Sequence, residues 1–284
     1  MSGEPARPVG VTGATGRLGG RVARLLSSEG YSQRLLVRNP VAAPDLSGTE
    51  VVGIPGYADG PACCEALHGV ETLFMVSARE SADRVDEHLT FVDAAVAAGV
   101  RHVVYTSLYR AAADAVFTFA RDHWATEEHI RASGLRWTFL RDCLYLDLIP
   151  RIGGPDGVIR APAGNGRFSG VALDDVARVA QAVLLSPEEH AGHTYDLTGP
   201  EELSMAEAAA IVTEVTGQPT HYVEETSDEA FASRAAYGAP DWELQGWVTS
   251  YLAIAAGQQD GLSDDVERIT GQRPVSLRGM LSRP

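Results

Sequence analysis

The chain has 284 residues and contains no lysine, so its basic side chains are all arginine or histidine. It is also poor in cysteine, with only Cys63, Cys64 and Cys143. Adjacent Cys63 and Cys64 are poorly placed to bridge each other, and no cysteine–histidine pattern has the spacing of a metal site. We therefore expect free thiols, no bound metal and a cytoplasmic location.

Long apolar runs are missing as well. None reaches the roughly 18 residues that a membrane-spanning helix needs, and the first eight residues lack the apolar core of a signal peptide. The formal net charge of −15 disfavours contact with a phosphate backbone. These absences argue against membrane and nucleic-acid partners. They are compatible with a globular protein that binds a small molecule, and they do not exclude a homodimer.

What the first half does contain is a repeated alternation of β-rich runs with amphipathic stretches. Several of the runs are apolar throughout, as expected of strands covered on both faces. The alternation predicts an α/β protein with a Rossmann-type, doubly wound parallel sheet. Its predicted strands are Val9–Thr12, Arg34–Arg38, Val51–Ile54, Thr72–Val76, His102–Thr106 and Trp137–Arg141.

The second half has a different pattern. A glycine- and proline-rich stretch interrupts it at 153–157, and a further loop is predicted over Ala161–Gly170. Beyond these we predict a helix over Leu173–Leu185, a strand at Tyr195–Leu197, and an Ala-rich helix opened by the capping box of Ser204 and Glu207; two helices follow near Asp228–Tyr237 and Asp241–Ala256. We expect a Rossmann domain over residues 1–150. Residues 151–284 should form mostly a small, largely helical C-terminal lobe, with about 171–200 returning to the core.

The strongest motif is the run Thr12-Gly13-Ala14-Thr15-Gly16-Arg17-Leu18-Gly19, which follows the first strand and opens the first helix. In such a loop the first glycine permits the tight turn, the second lets the backbone approach a pyrophosphate, and the third allows close helix–strand packing. The helix N-terminus adds unpaired N–H groups. The predicted phosphate-binding residues are Gly13, Thr15, Gly16, Arg17, Leu18 and Gly19.

The glycine spacing is GxxGxxG, and with it the chain resembles the atypical short-chain dehydrogenases/reductases, specifically their NmrA-like family. The resemblance extends over nearly the whole chain, through Val37–Pro40, Val100–Ser107, Ser133–Arg141, Leu173–Ala177 and Tyr195–Pro200. Within that family the pattern resembles the bacterial NAD(P)H:quinone oxidoreductase type 2 group. That likeness is carried by Tyr105-Thr106-Ser107-Leu108 and by the element around Asp122-His123.

The cofactor preference is predicted from the end of the second strand. NAD-binding proteins usually place a carboxylate there, whereas this chain has Arg38, whose guanidinium suits a 2′-phosphate. Arg17 is a second candidate for the same phosphate. Together they favour NADP(H) over NAD(H).

Other cofactor contacts are expected at neighbouring strand ends. The resemblance puts Asp59 beside the adenine, although Asp59 also suits an N-cap. Ligands bind at the carboxyl ends of parallel strands, which adds Ser77, Thr106 and Ser107.

The resemblance also implies a tyrosine acid followed four residues later by a lysine, and this pair is absent. Phe119 stands at the tyrosine position and His123 at the lysine position. We predict His123 and Tyr145 as catalytic residues, with His123 acting as a general acid or as a ribose contact, and with Tyr105 and Tyr109 as alternative proton donors. The acceptor pocket is expected to involve Tyr109, Tyr145 and Phe168, together with residues near Tyr237 and Trp242.

Three functions are compatible with this pattern. The first is an NADPH-dependent oxidoreductase that passes hydride to a quinone or a similar conjugated acceptor, which needs little help from an acid. The second is a non-catalytic NAD(P) sensor that regulates a protein partner. The third is a tailoring reductase of an enone or imine metabolite. Turnover of NADPH with quinones separates the first from the second.

Overall fold

A seven-stranded parallel sheet forms the core of the computed structural model, which describes residues 7–283. Its strand order is β3-β2-β1-β4-β5-β6-β9, and each neighbouring pair runs parallel. Including four strands that lie outside this sheet, the strands of the described chain are β1 (Val9–Thr12), β2 (Gln33–Val37), β3 (Thr49–Gly53), β4 (Thr72–Met75), β5 (His102–Leu108), β6 (Arg136–Asp142), β7 (Val158–Ala161), β8 (Arg167–Phe168), β9 (His193–Leu197), β10 (Leu203–Ser204) and β11 (His221–Glu224).

Helices cover both faces of this sheet. Counting those of the C-terminal part as well, the helices of the described chain are α1 (Arg17–Ser28), α2 (Gly60–Leu67), α3 (Arg84–Ala97), α4 (Thr118–Ala132), α5 (Ile149–Ile152), α6 (Leu173–Leu185), α7 (Met205–Thr216), α8 (Ser227–Ala235), α9 (Asp241–Ala255), α10 (Asp265–Thr270) and α11 (Leu277–Leu281). On one face, Leu26 of α1 and Val179 of α6 share a core with the sheet. On the other face, Leu67, Phe91 and Ile130 come from α2, α3 and α4. The predicted doubly wound Rossmann fold is confirmed.

The topology fixes where a ligand can lie. The chain order reverses between β1 and β4, so the crevice at the carboxyl ends of these strands is the switch point at which dinucleotide-binding sheets hold their ligands. The loops that follow β1, β2, β4, β5 and β6 all open onto this edge. Strand β9 and helix α6 belong to the same layered core, although they come late in the chain.

The C-terminal part adds a third apolar cluster, which includes Ile149, Phe168, Met205 and Ile254. Helix α7 begins with the predicted capping box of Ser204 and Glu207 and ends at Gly217 in the left-handed conformation. Two small sheets, β7 with β11 and β8 with β10, were not expected. The predicted loop Ala161–Gly170 therefore contains β8. Within residues 7–283, no helix has both the length and the hydropathy needed to cross a bilayer.

Candidate functional site

The loop between β1 and α1 has the shape that its glycines predict. Gly13 adopts φ +64°, a left-handed conformation that favours glycine. A Cβ added to Gly19 would lie 2.4 Å from the carbonyl oxygen of Gly13, so helix and strand are in close contact there. A Cβ on Gly16 would meet only that same oxygen, at 3.1 Å. The space above Gly16 is therefore free of protein atoms.

The N-terminus of α1 suits an anion. No side chain caps it, and its first turn contains no acidic residue. The first N–H groups of a helix have no intrahelical partner and carry the positive end of its dipole. Thr15, Gly16 and Arg17 are exposed at this tip, whereas Leu18 and Gly19 are buried beneath it. The loop thus offers donors and an open cradle of the kind that a pyrophosphate requires.

The two arginines proposed for the 2′-phosphate are not brought together. Arg38 lies exposed just beyond β2. Arg17 instead forms an ion pair with Asp147, with 3.1 Å between Nη2 and Oδ1. Asp147 follows β6, and β6 lies on the opposite side of β1 from β2. Arg38 is therefore the better placed of the two at the adenosine side of the cleft.

Polar side chains at the strand ends bond mainly to the protein itself. Thr106 Oγ1 accepts from the backbone N–H of Ser77 at 2.9 Å, which ties β5 to the end of β4. The hydroxyl of Ser107 donates to the buried carboxylate of Glu127. The side chain of Asp59 accepts from the N–H of Ala62, so of its two expected roles the structure gives it the N-cap of α2. These contacts tie the end of β5 to the end of β4 and to α4.

His123 is placed differently from the expected proton donor. Its exposed fraction is 5%, and both ring nitrogens have protein partners: Arg84 Nη2 at 3.0 Å and the Tyr105 hydroxyl at 2.9 Å. Burial, together with the positive charge of Arg84, holds the pKa of His123 well below its usual range. Because Arg84 can only donate, His123 is a neutral acceptor at Nε2. The structure therefore corrects the assignment of His123 as an acid, since its ring lies beneath the site.

Tyr145 is hydrogen-bonded to a buried carboxyl group. Its hydroxyl donates to Asp142 Oδ2 at 2.7 Å, at the carboxyl end of β6. Burial raises the pKa of Asp142 to about 8, and burial with the adjacent Asp142 raises the pKa of Tyr145 well above its usual value. Asp142 Oδ1 has no hydrogen-bond partner among the described residues. The pair forms a proton-bearing group at the strand ends, although Tyr145 is a weak acid in this setting.

A large cavity lies between these strand ends and the C-terminal lobe. Its volume is about 1210 Å³, and Leu108 at the end of β5 forms part of its inner wall. Its aromatic lining comes from α4 and the residue that precedes it, from α9 and from the segment before α9: Phe117, Phe119, Tyr237, Trp247 and Tyr251. Charged residues also border it, namely Arg79, Glu80, Asp156, Arg160, Arg234 and Glu243. Such a cavity can hold a flat apolar molecule of considerable size.

Phe119 is fixed in the cavity wall by a complementary position on α9. A Cβ added to Gly246 would lie 2.2 Å from Cζ of Phe119, so the tip of the ring occupies the space that a side chain would take. The ring also packs at 5.5 Å from Phe117 and 6.2 Å from Trp242, measured between centroids. The residue at the expected acid position is thus a rigid apolar wall.

The remaining pocket predictions are corrected by packing. Tyr109 and Phe168 have exposed fractions of 6% and 0% and do not line the cavity, and Tyr145 and Trp242 are not among its lining residues either. The Tyr109 hydroxyl donates to the carbonyl of Asp260, and Phe168 belongs to the apolar core of the lobe. Sequence reasoning missed Trp247 and Tyr251. Their spacing of four residues on a helix places both on one face and was the available signal.

The layered sheet and its glycine loop define a protein of the Rossmann class. The model of the NmrA-like family matches residues 6–238, and the chain belongs to that family. Its sequence is 30% identical to quinone oxidoreductase 2 of Escherichia coli, over 92% of each protein. It is 34% identical, also over 92% of each, to the (4-alkanoyl-5-oxo-2,5-dihydrofuran-3-yl)methyl phosphate reductase of Streptomyces griseus.

The chain is also similar to solved structures of oxidoreductases. The NADPH complex of the E. coli quinone oxidoreductase QOR2 superimposes with a TM-score of 0.87 at 28% identity, covering 96% of this chain and 98% of that one. The NADP(H) complex of the triphenylmethane reductase of Citrobacter sp. gives 0.83 at 30% identity, with the same two coverages. The family expected from the motifs is confirmed.

Proposed function

We propose that the protein is an NAD(P)H-dependent oxidoreductase that binds NADP(H) and passes hydride to a quinone or a similar conjugated acceptor. We infer the class of acceptor from Phe119, which places an apolar ring at the expected acid position in an aromatic cavity. An acceptor that becomes aromatic on reduction needs little protonation by the enzyme. The relatives that are reductases of quinones, dyes and an unsaturated lactone support the same general chemistry.

The glycine loop and Arg38 would hold the cofactor. The N–H groups at the start of α1 and the open space above Gly16 suit the pyrophosphate, and Arg38 suits the 2′-phosphate. Bound NADPH supplies the hydride. Residues 1–150, with the returning segment 171–200, carry this half of the site in our proposal, and the rest of the lobe encloses the acceptor.

Tyr145 is the proposed hydrogen-bond donor to the acceptor oxygen. Its hydroxyl lies at the strand ends and is bonded to Asp142. Since the pKa of Tyr145 is raised, it gives up its proton less readily than an ordinary tyrosine, and its contribution is a hydrogen bond to the oxygen on which negative charge develops. A reduced quinone oxygen can take its proton from water, so a weak acid at this position suffices.

The proposal is tested by mixing purified protein with NADPH and a panel of quinones and following the absorbance of the reduced cofactor. Binding of NADPH is measured in parallel by fluorescence. Turnover with quinones supports the proposal. Tight NADPH binding without turnover of any acceptor would contradict it and favour the sensor function instead.

Arg38→Asp is expected to weaken NADPH binding roughly ten- to hundredfold, which corresponds to the loss of hydrogen bonds to a charged group. NADH binding should change little, because NADH has no 2′-phosphate. Dissociation constants for both cofactors provide the measurement. Arg101→Asp is a matched control, since Arg101 is an exposed arginine that directly precedes β5. It therefore lies at the amino ends of the strands, whereas the cleft lies at their carboxyl ends. Equal losses for the two cofactors would remove Arg38 from the 2′-phosphate site.

A further inference from the structure

Gln259 lies in the loop after α9 and lines the cavity between the strand ends and the C-terminal lobe. Its exposed fraction is 6%, and of the described polar or charged residues in the cavity lining it alone is buried. Its backbone oxygen accepts from the N–H of Ser169 at 2.9 Å, which fixes the loop at this point. A polar group fixed in a mostly buried wall is of the kind that orients a ligand in its site.

The side-chain amide of Gln259 is oriented by Cys143. The sulfur of Cys143 lies 3.6 Å from Oε1. Burial raises the pKa of this thiol to about 12, so the thiol keeps its proton and donates to Oε1. Nε2 makes no hydrogen bond within residues 7–283, and it is not one of the unpartnered atoms that have lost all contact with solvent. The N–H donors of Gln259 are therefore free and can be reached from the cavity.

The surroundings of Gln259 place this donor at the inner end of the cavity. Cys143 directly follows β6, and its neighbour Leu144 lines the cavity. Leu108, which also lines it, ends β5. A dinucleotide bound across the switch point has its adenosine half over β2, so its nicotinamide half lies on the side of β4 and β5. Gln259 thus lies toward the cofactor and not at the mouth of the cavity.

An amide N–H in this place suits the oxygen of a conjugated carbonyl compound. When such a compound receives hydride, its oxygen takes up the electron pair and then a proton from water. The negative charge on the oxygen grows during the transfer, so a fixed donor stabilises the transition state more than the ground state. The amide keeps its own protons throughout. Its contribution therefore does not require an acid at position 119.

We propose that Gln259 is a catalytic residue that donates from Nε2 to the carbonyl oxygen of the acceptor. The site then selects conjugated carbonyl compounds, such as quinones and enones, over conjugated acceptors that have no such oxygen. This inference rests on the proposed hydride transfer to a conjugated acceptor, and it names the group on that acceptor which the protein recognises.

The first test measures kcat/KM for a benzoquinone at saturating NADPH. Gln259→Met keeps the length of the side chain and removes its N–H groups, so kcat/KM should fall roughly ten- to hundredfold, as for a lost hydrogen bond to a charged oxygen. The dissociation constant of NADPH should not change. Gln245→Met is the matched control, because Gln245 is an exposed residue of α9 that does not line the cavity. It should retain the wild-type kcat/KM.

Gln259→Glu separates hydrogen-bond donation from the shape of the side chain. A neutral carboxyl group can donate in place of the amide, whereas a carboxylate can only accept. The kcat/KM of this variant relative to the wild type should therefore fall as the pH rises and the glutamate ionises. A side chain that only fills space would give a ratio that does not depend on pH. If Gln259→Met does not fold, this pH profile decides.

Binding provides a readout that needs no turnover. Quinone binding to the NADP⁺ complex is followed by quenching of tryptophan fluorescence, since Trp247 lines the cavity. Gln259→Met should weaken it roughly two- to tenfold, the range of a neutral hydrogen bond. Wild-type kcat/KM and quinone binding in a folded Gln259→Met protein would overturn the inference, as would an equal loss of NADPH binding. A wild type that binds quinones without reducing them would contradict the proposed function, and this measurement would still decide whether Gln259 contacts the carbonyl oxygen.

Discussion

Gly16→Val is expected to lose NADPH and NADH together, by about a hundredfold or more, while the protein stays folded. Gly16 has extended backbone angles that valine also adopts, and its added Cβ meets one protein atom, at 3.1 Å. The branched side chain would instead occupy the cradle above the start of α1. Two hydrogen bonds to charged phosphate oxygens, at about 1.5 kcal/mol each, account for an effect of that size.

Circular dichroism and thermal unfolding establish that the variant is folded, and dissociation constants measure the loss. Gly16→Ala should fall between the wild type and Gly16→Val. Gly19→Ala makes an instructive contrast, because its Cβ would lie 2.4 Å from a backbone oxygen and should lower the stability of the protein itself. A folded Gly16→Val protein that binds both cofactors normally would disprove the location of the pyrophosphate.

Quinones should be reduced far faster than unactivated ketones under saturating NADPH. Acid assistance is typically worth 10²–10⁴-fold, and a ketone requires it. Phe119 has no proton to give, His123 is bonded inside the core, and Tyr145 is a weak acid. Aromatisation of a reduced quinone supplies driving force, so positioning the two reactants does most of the work.

The measurement is kcat/KM for benzoquinones and for simple aliphatic ketones of similar size, with the same protein and NADPH preparation. We expect a ratio of roughly 10² or more in favour of the quinones, from the missing acid alone. Ketones reduced at a comparable rate would show that an effective acid exists. Tyr145→Phe would then identify it, since this change removes one hydroxyl and leaves the ring in place.

The sheet could be predicted from sequence because its strands are local and strongly apolar. β1 and α6 have the predicted bounds, and the other predicted core strands differ by a few residues at their ends. The apolar spacing of Val85, Leu89, Val92 and Val96 predicts a buried face for α3, but of these four only Val92 is buried. Val96 is 41% exposed, whereas Arg84 and His88 are buried. Apolar periodicity cannot detect a face that is buried through hydrogen bonds between polar side chains of different elements.

Only the local part of the candidate site could be predicted from the sequence. The glycine loop is a local motif, and its geometry follows from its residue types. The acceptor cavity depends on contacts between distant segments, such as α4 and α9, and no local pattern encodes these. The short strands β7 and β11 pair across about sixty residues, which explains why neither was predicted.

The fit between Phe119 and Gly246 limits which side chains position 119 can accept. The tip of the Phe119 ring already fills the space beside Gly246, so a tyrosine hydroxyl at position 119 would project into the backbone of α9. Glycine is the smallest residue, so no substitution at position 246 can make room. The single substitution Phe119→Tyr would therefore require α9 to move, and an acid engineered into this cavity belongs at a different position of its lining.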